Sequence, residues 1–451
     1  MARDPAVFEC TACGHLSPKW LGRCPACGGW NTFEATPTAP RARAATSVQP
    51  VPLDATELDE VPRLATGIAG LDRVLGGGFV PGSVVLLAGE PGVGKSTLLL
   101  QVAATLAGRG PVLYVSAEES GRQVALRARR LRCLSPAIAM LAEPTVELAV
   151  AAARGVRPLL VIIDSVQTML SDRVPAVPGS VTQVREVATQ LLEYAKRDGP
   201  PVVLVGHVTK EGMVAGPKSL EHLVDVVLDF GGGSSHPHRM LRATKNRYGP
   251  ALELALFSMG ERGLEEIADA SAALLADRRP GAPGSAVAVV LEGTTPLLVE
   301  VQALVSRSSL ANPRRVAQGL DAGRLSLLLA VLEKRAGARL ADRDVFLNVV
   351  GGIEVDEPAL DVAVAAAIIS SAADRPLAAD VALFGEVGLL GEIRAVSRAQ
   401  DRVKEALALG FRRCALPAST ALAQVDVELV PLTTVADVVP LLGGLPPDRG
   451  Q

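Results

Sequence analysis

The sequence predicts an α/β protein in three parts, and three observations lead there. A glycine-rich phosphate loop stands between an apolar strand and a helix; buried-looking aliphatic strands alternate with helical stretches on both sides of a Pro/Gly-rich break; and four cysteines form two close pairs near the N-terminus. A chain of 451 residues has room for two or three domains. Hydrophobic residues make up 49% and aromatics only 3%, so the cores must be aliphatic, and short Ala/Val/Leu runs suit buried parallel strands. A net charge of −3 means that any nucleic-acid surface must be local. No apolar run approaches the ~20 residues of a membrane span, and the N-terminus lacks a signal-peptide core. Four of the six cysteines fall in the first 27 residues and two are isolated, unlike a disulfide framework. The expectation is a cytoplasmic chain in a reducing setting, with no membrane partner.

The first part is residues 1–33, where Cys10-x2-Cys13 and Cys24-x2-Cys27 are separated by ten residues. Each pair can offer two thiolates to one ion, and four complete the tetrahedral shell of a structural Zn²⁺. A module of ~30 residues cannot hold itself by burial alone, so metal supplies much of its folding energy. Redox pairs or an iron–sulfur cluster are the other readings, and the paired spacing favours zinc. His15, Cys133 and Cys414 read as ordinary residues. Residues 34–60, rich in Pro, Ala and Thr, read as a linker.

The second part, residues 61–276, alternates strands and helices, with candidate strands at 83–88, 112–116, 159–163 and 202–206. Gly89, Glu90, Pro91, Gly92, Val93, Gly94, Lys95, Ser96 and Thr97 form a complete P-loop, the expected ATP-binding segment. Its glycines let backbone N–H groups curl around phosphate oxygens, Lys95 neutralises the β/γ-phosphates and the Ser96 hydroxyl ligates Mg²⁺. The helix that follows aims its positive end at the anion. Asp164 ends the apolar strand LLVIID, where a carboxylate can hold Mg²⁺ through water. Glu118 and Glu119 follow the strand VLYVSA, and Glu118 is the favoured residue to orient and deprotonate the attacking water.

The four-cysteine module, the phrase TGIAGLDRVLGGGFVPGSVVLLAGEPGVGKST and the segment Lys245-Asn246-Arg247-Tyr248-Gly249 together resemble the bacterial RadA (Sms) family, a branch of the RecA-like ATPases. The family signature is KNRFG, and Tyr248 keeps the ring while adding a hydroxyl. The resemblance covers essentially the whole chain. It implies a zinc-ribbon-like module, a RecA-like P-loop ATPase core and a homo-hexameric ring. It also implies a DNA-dependent ATPase with ATP, Mg²⁺ and Zn²⁺ as cofactors. The function implied is a helicase or translocase on single-stranded DNA that drives branch migration in homologous recombination, DNA repair and the stress response. Single-stranded and branched DNA and the recombinase RecA are the implied partners. Lys245 and Arg247 alternate on an extended segment and can face the same way, so they can reach a neighbouring subunit's γ-phosphate or contact DNA. Candidate DNA loops are 171–185 and 207–221, with Arg185, Lys210 and Lys218 tracking the backbone. His207 is either a sensor of nucleotide state or a structural histidine. Arg122, Arg127, Arg129, Arg130 and Arg132 read as a solvated helix face.

The third part, residues 286–451, resembles the proteolytic domain of Lon proteases through DVFLNVVGGIEVDEPALDVAVAAAI and GEVGLLGEIRAVSRAQDRVKEALALGF. Lon chemistry needs a Ser–Lys dyad. Matching the phrases puts Ala359 at the Ser position and Gln400 at the Lys position, so the expectation is an inactive, ring-assembling scaffold. Arg307, Arg314, Arg315 and Arg324 are candidates for a basic DNA-facing surface, with solvated surface as the default. The rival functions are an ATP-dependent protease and a nucleotide-gated interaction switch.

Overall fold

The structure is a computed structural model that describes residues 7–12, 15–17, 19–36, 62–207, 219–232, 238–251 and 253–442. The chain divides into two compact units, 1–60 and 61–451.

In the first unit, β1 (Val7–Cys10) pairs antiparallel with β2 (Leu16–Ser17) on one side and β3 (Phe33–Thr36) on the other. Its buried apolar cluster is only Cys10, Cys24 and Phe33, with Phe8 packed against it. So small a core stabilises little, and the thiols must do the rest. The sulfurs of Cys10, Cys24 and Cys27 lie within 4.8 Å of one another, and Cys10 Sγ is 3.7 Å from Cys27 Sγ. Four sulfurs at ~2.3 Å from a central ion stand about 3.8 Å apart, so these three fit a tetrahedral zinc shell. Cys13 lies outside the described residues.

The second unit begins with α1 (Ala69–Leu75), β4 (Val84–Gly89), α2 (Lys95–Ala107), β5 (Val112–Ser116), α3 (Gly121–Arg130), β6 (Ile138–Leu141) and α4 (Val146–Val156). It continues with β7 (Leu160–Asp164), α5 (Val181–Asp198), β8 (Val202–His207), β9 (Val226–Gly231), β10 (His238–Asn246), β11 (Leu254–Gly260) and β12 (Gly263–Ile267). The strands make one nine-stranded sheet in the order β12-β11-β10-β9-β4-β8-β7-β5-β6. From β6 to β9 all neighbours are parallel; β9 to β12 form an antiparallel meander. The two faces feed different cores: Val85 and Leu87 of β4 join one cluster, Val84, Leu86 and Ala88 the other. Burial on both faces explains why these strands read as unbroken aliphatic runs rather than alternating ones. The sheet is the RecA-like arrangement, with the chain's first core strand, β4, lying centrally between β8 and β9.

The chain then runs through α6 (Ala270–Leu275), β13 (Ser285–Glu292), β14 (Thr295–Arg307), β15 (Arg315–Gln318), α7 (Ala322–Arg335) and β16 (Arg343–Val349). It closes with α8 (Asp361–Ala373), β17 (Val381–Leu383), β18 (Glu386–Val387), β19 (Ile393–Arg394), α9 (Ala399–Ala408), β20 (Arg413–Pro417) and β21 (Glu428–Leu432). Seven strands form a second sheet in the order β15-β16-β14-β13-β17-β20-β21, and β18 pairs with β19. Helix α8 is buried from Asp361 to Ser370 and packs on β13 and β14. The two sheets are tied together by Arg242, which reaches Asp229 of β9 (3.4 Å) and Glu292 of β13 (2.7 Å).

Several expectations change in place. Arg185 is exposed but sits inside α5, because Ser180 caps that helix ahead of it. The preceding segment is pinned by Gln183, which donates to the carbonyls of Ser171, Val174 and Ala176. Lys210 and Lys218 lie outside the described residues. Arg127 is not merely solvated, since it pairs with Glu119. Arg324 likewise pairs with the buried Asp361 and donates to the Val387 carbonyl at 3.1 Å. Burial pushes the Asp361 carboxyl up, and its bonds to Arg324 and the Val387 N–H pull against that shift. Arg307, Arg314 and Arg315 remain exposed.

Ala359 is fully buried, packed among Val287, Phe384, Cys414 and Leu416. The segment around it is clamped: Glu357 pairs with the fully buried Arg402 of α9, and Asp361 with Arg324 of α7. Gln400 turns its side-chain oxygen to the Ala423 N–H at 2.9 Å. A hydroxyl placed at 359 would meet core, not peptide. The double substitution Ala359→Ser/Gln400→Lys is therefore expected to leave casein uncut in a degradation assay; measurable cleavage would show that the site is open. In the first unit, chelation or changing Cys10 and Cys27 to Ser should unfold residues 7–36 while the melting transition of the second unit stays in place. Circular dichroism with metal analysis checks this, and an absence of zinc at near one ion per chain would sink the four-thiolate assignment.

Candidate active site

Parallel register brings the sequence-separated groups of the nucleotide site to one edge. Gly89 of β4 is opposite His207 of β8 and Phe230 of β9, and Ser116 of β5 is opposite Asp164 of β7. Strands that end together deliver these residues to the edge where open α/β sheets bind ligands. At Gly89 the chain passes so close to β9 that a Cβ would lie 2.3 Å from the Phe230 carbonyl oxygen, so only glycine fits. Gly94 adopts φ 117° as the N-cap of α2, which turns the loop into the helix. Glu90, Pro91 and Gly92 are exposed on the loop, Val93 and Lys95 are buried, and Ser96 and Thr97 lie in the first turn of α2. The loop's backbone N–H groups and the start of α2 make a site for a polyphosphate.

The Lys95 ammonium donates to the carbonyls of Gly89 (2.8 Å) and Glu90 (2.9 Å). Burial lowers its pKa to about 8, against the pull of the nearby Asp164 and Glu118 charges. Asp164 is buried and accepts a 2.5 Å hydrogen bond from the Tyr114 hydroxyl. Burial, then the Asp164 charge, pushes Tyr114 well above the ordinary tyrosine range, so its proton stays on the phenol. The phenol thus fixes one carboxylate oxygen of Asp164.

The two glutamates are told apart by their partners. Glu119 is committed to Arg127, and its N–H is held by the Ser116 hydroxyl at 3.0 Å. Glu118 instead reaches into the site, accepting from the Ser165 hydroxyl at 2.6 Å, with His207 Nε2 at 3.6 Å. Burial and the neighbouring Lys95 hold His207 below the usual imidazole range, so it stays neutral near pH 7. The His207 carbonyl accepts from Gln167 at 3.2 Å. Lys95, Glu118, Asp164 and His207 thus converge on one place. Tyr114, Ser165 and Gln167 belong to it too, and sequence reasoning missed them because the first reads as a core aromatic and the others as loop residues.

Lys245 and Arg247 stand elsewhere. Asn246, the last residue of β10, is opposite Val226, and Val226 is opposite Val85. The motif therefore lies by the beginning of β4, whereas the P-loop follows its end. The five steps from Val84 to Gly89 span about 17 Å. The Lys245 ammonium donates to the carbonyls of Glu221 (2.6 Å) and Val224 (2.7 Å), and burial followed by the nearby Arg247 charge lowers its pKa. Arg247 bonds Asp225 at 3.2 Å with a side chain 54% exposed. Both cations engage the 221–225 segment and so share a side. Asn246 reaches the carbonyls of Val74 and Leu75 and accepts from the Tyr248 N–H. The Tyr248 hydroxyl has a partner of its own, the Lys196 ammonium at 3.1 Å. Gly249 lies against Gly76: a Cβ on it would be 3.2 Å from the Gly76 Cα.

Comparison with known proteins agrees with these parts. A family model described as an AAA domain matches residues 57–213, a rubredoxin metal binding domain matches 8–35, and the Lon protease (S16) C-terminal proteolytic domain matches 332–438. The DNA repair protein RadA of Pseudomonas aeruginosa is 49% identical over 429 residues, covering 93% of this chain and 94% of that one. The DNA repair protein RadA of Bacillus subtilis is 46% identical over the same shares, and that of Brucella abortus is 46% identical over 92% of each chain. On its three domain types and its likeness along nearly the whole length, the chain belongs to the RadA family of DNA repair proteins.

Proposed function

We propose that this protein is an ATP-driven motor on DNA, a helicase or translocase on single strands that drives branch migration of recombination intermediates during homologous recombination and repair. The observation that carries the reading is the separation just described: Lys245 and Arg247 lie at the opposite end of β4 from their own P-loop. With ~17 Å of strand between them, they cannot serve the nucleotide of the same copy. In a ring, each copy's basic motif meets the P-loop of the next, and hydrolysis in one site moves its neighbour. We take that ring to be a hexamer, acting on single-stranded and branched DNA and working beside the recombinase RecA.

In this reading the P-loop N–H groups and Lys95 hold the β- and γ-phosphates of ATP; Ser96, and Asp164 through water, would hold Mg²⁺, which would neutralise charge on the phosphate oxygens. Glu118, steadied by the Ser165 hydroxyl, orients a water in line with the bond to be broken and accepts its proton. His207 lies against Glu118 and reports the γ-phosphate to the residues that follow β8. Arg307, Arg314 and Arg315 come from one end of the seven-stranded sheet, where Arg307 is opposite Arg343 and Arg315 opposite Val345. They supply a local basic surface for DNA on a chain whose net charge is −3. A nucleotide-gated switch differs in two observables: a motor has ATP turnover stimulated by single-stranded DNA, and it unwinds a forked duplex.

Lys95→Ala should abolish ATP turnover and leave the fold intact; wild-type hydrolysis by this variant would refute the nucleotide site. Arg247→Ala should bind nucleotide nearly as the parent does and lose hydrolysis by about 10³-fold, as loss of an arginine finger does. Mixing it with Lys95→Ala subunits should restore turnover at interfaces where an intact P-loop meets an intact finger. If basal hydrolysis survives in Arg247→Ala and only DNA affinity falls, with about one unit less salt slope, the arginine contacts DNA instead.

A further inference from the structure

Asp225 is a buried charged residue that the P-loop does not account for. It stands just before β9 and is 2% exposed. A carboxylate so buried is retained only where partners match it, and five hydrogen bonds converge on this residue. Its N–H donates to the Val84 carbonyl (2.9 Å), and its Oδ2 accepts from the Val84 N–H (3.0 Å), so it closes the start of β4. Oδ2 also accepts from Lys196 of α5 at 3.1 Å. Its carbonyl accepts from the Arg247 N–H at 3.2 Å, and Oδ1 takes the Arg247 guanidinium at 3.2 Å. Arg247 is therefore gripped twice by one residue, at the main chain and at the side chain.

The Val84 N–H needs only a neutral acceptor, so closing β4 does not call for a charge. The charge serves the two cations. Lys196 extends the same grip to the next residue of the motif, since it donates to the Tyr248 hydroxyl at 3.1 Å. A guanidinium has five N–H donors in a rigid fork. The bond to Asp225 uses one of these donors, and the side chain stays 54% exposed. An arginine at the end of a flexible stem loses much of its effect when misplaced by about 1 Å, on the order of 10²-fold.

We infer that Asp225 is the positioning residue of the basic motif: with Lys196 it fixes the Arg247 fork and the Tyr248 ring to the root of the P-loop strand, so that each copy presents a set finger to its neighbour. The inference rests on the proposed trans role of Arg247. It makes Asp225 part of the finger-donating side of an interface, although it is bonded to the strand that leads to its own P-loop.

Mixed assemblies separate these possibilities. Asp225→Asn keeps an acceptor for the Val84 N–H and removes the charge. Alone, it should bind ATP with the parent's affinity and hydrolyse it about 10²-fold more slowly. Mixed with Lys95→Ala subunits it should recover turnover, because its P-loop is intact and the partner's finger is set. Mixed with Arg247→Ala subunits it should recover none, because both are defective on the donating side. Recovery with Arg247→Ala but not with Lys95→Ala would place Asp225 on the P-loop side and overturn the inference. Recovery with neither, or loss of ATP affinity in the single variant, would mark a structural residue and overturn it as well. The mixture of Arg247→Ala with Lys95→Ala is the separate control: if that pair does not recover, the trans reading itself fails and this inference falls with it.

Discussion

The ladder that holds β4 between β8 and β9 sets where every functional group of the ATPase core stands. Those hydrogen bonds align Gly89 with His207 and with Phe230, and the backbones come so near that the P-loop must begin at a glycine. Parallel strands cannot be joined by tight turns; β4 to β8 are joined through helices α2 to α5, and the parallel strands end on the same edge. The phosphate loop, Asp164, Glu118 and His207 collect at that edge as a consequence of connectivity. The other edge receives the basic motif, because β10 runs antiparallel to β9 and ends where β4 begins. One strand therefore carries the P-loop at one end and the anchor of the basic motif at the other.

Electrostatics divides the site in a way the bare residue types do not announce. Two neighbouring glutamates take different parts because Arg127 neutralises one and a serine hydroxyl holds the other. Asp164 keeps its place through a tyrosine proton that burial makes hard to remove. Lys95 sits where burial and two carboxylates oppose each other, which suits a cation meant to exchange backbone carbonyls for phosphate oxygens. In the C-terminal domain charges serve the opposite end: buried Arg402 and Asp361, paired with Glu357 and Arg324, clamp the segment around Ala359 shut.

By itself the sequence determined the zinc-ribbon, P-loop and Lon-like parts and the α/β class. Each is written in local spacing: glycines and lysine within nine residues, cysteines in CxxC pairs, aliphatic runs of strand length. It also marked Asp164 and Glu118, since an acid at the end of an apolar strand is a local signal once a P-loop is known. Tertiary structure decided what depends on partners distant in the chain. Register alone brings Tyr114 to Asp164 and Ser165 to Glu118, separated by 50 and 47 residues. A helix cap placed Arg185 in α5, and an ion pair took Arg324 out of the basic surface. Asp225 stayed invisible because its meaning lies in contacts with Val84, Lys196 and Arg247, which only folding brings within hydrogen-bonding distance. Short-range spacing specifies chemistry that one loop can perform; the placement of groups at opposite ends of a strand is specified by the ladder.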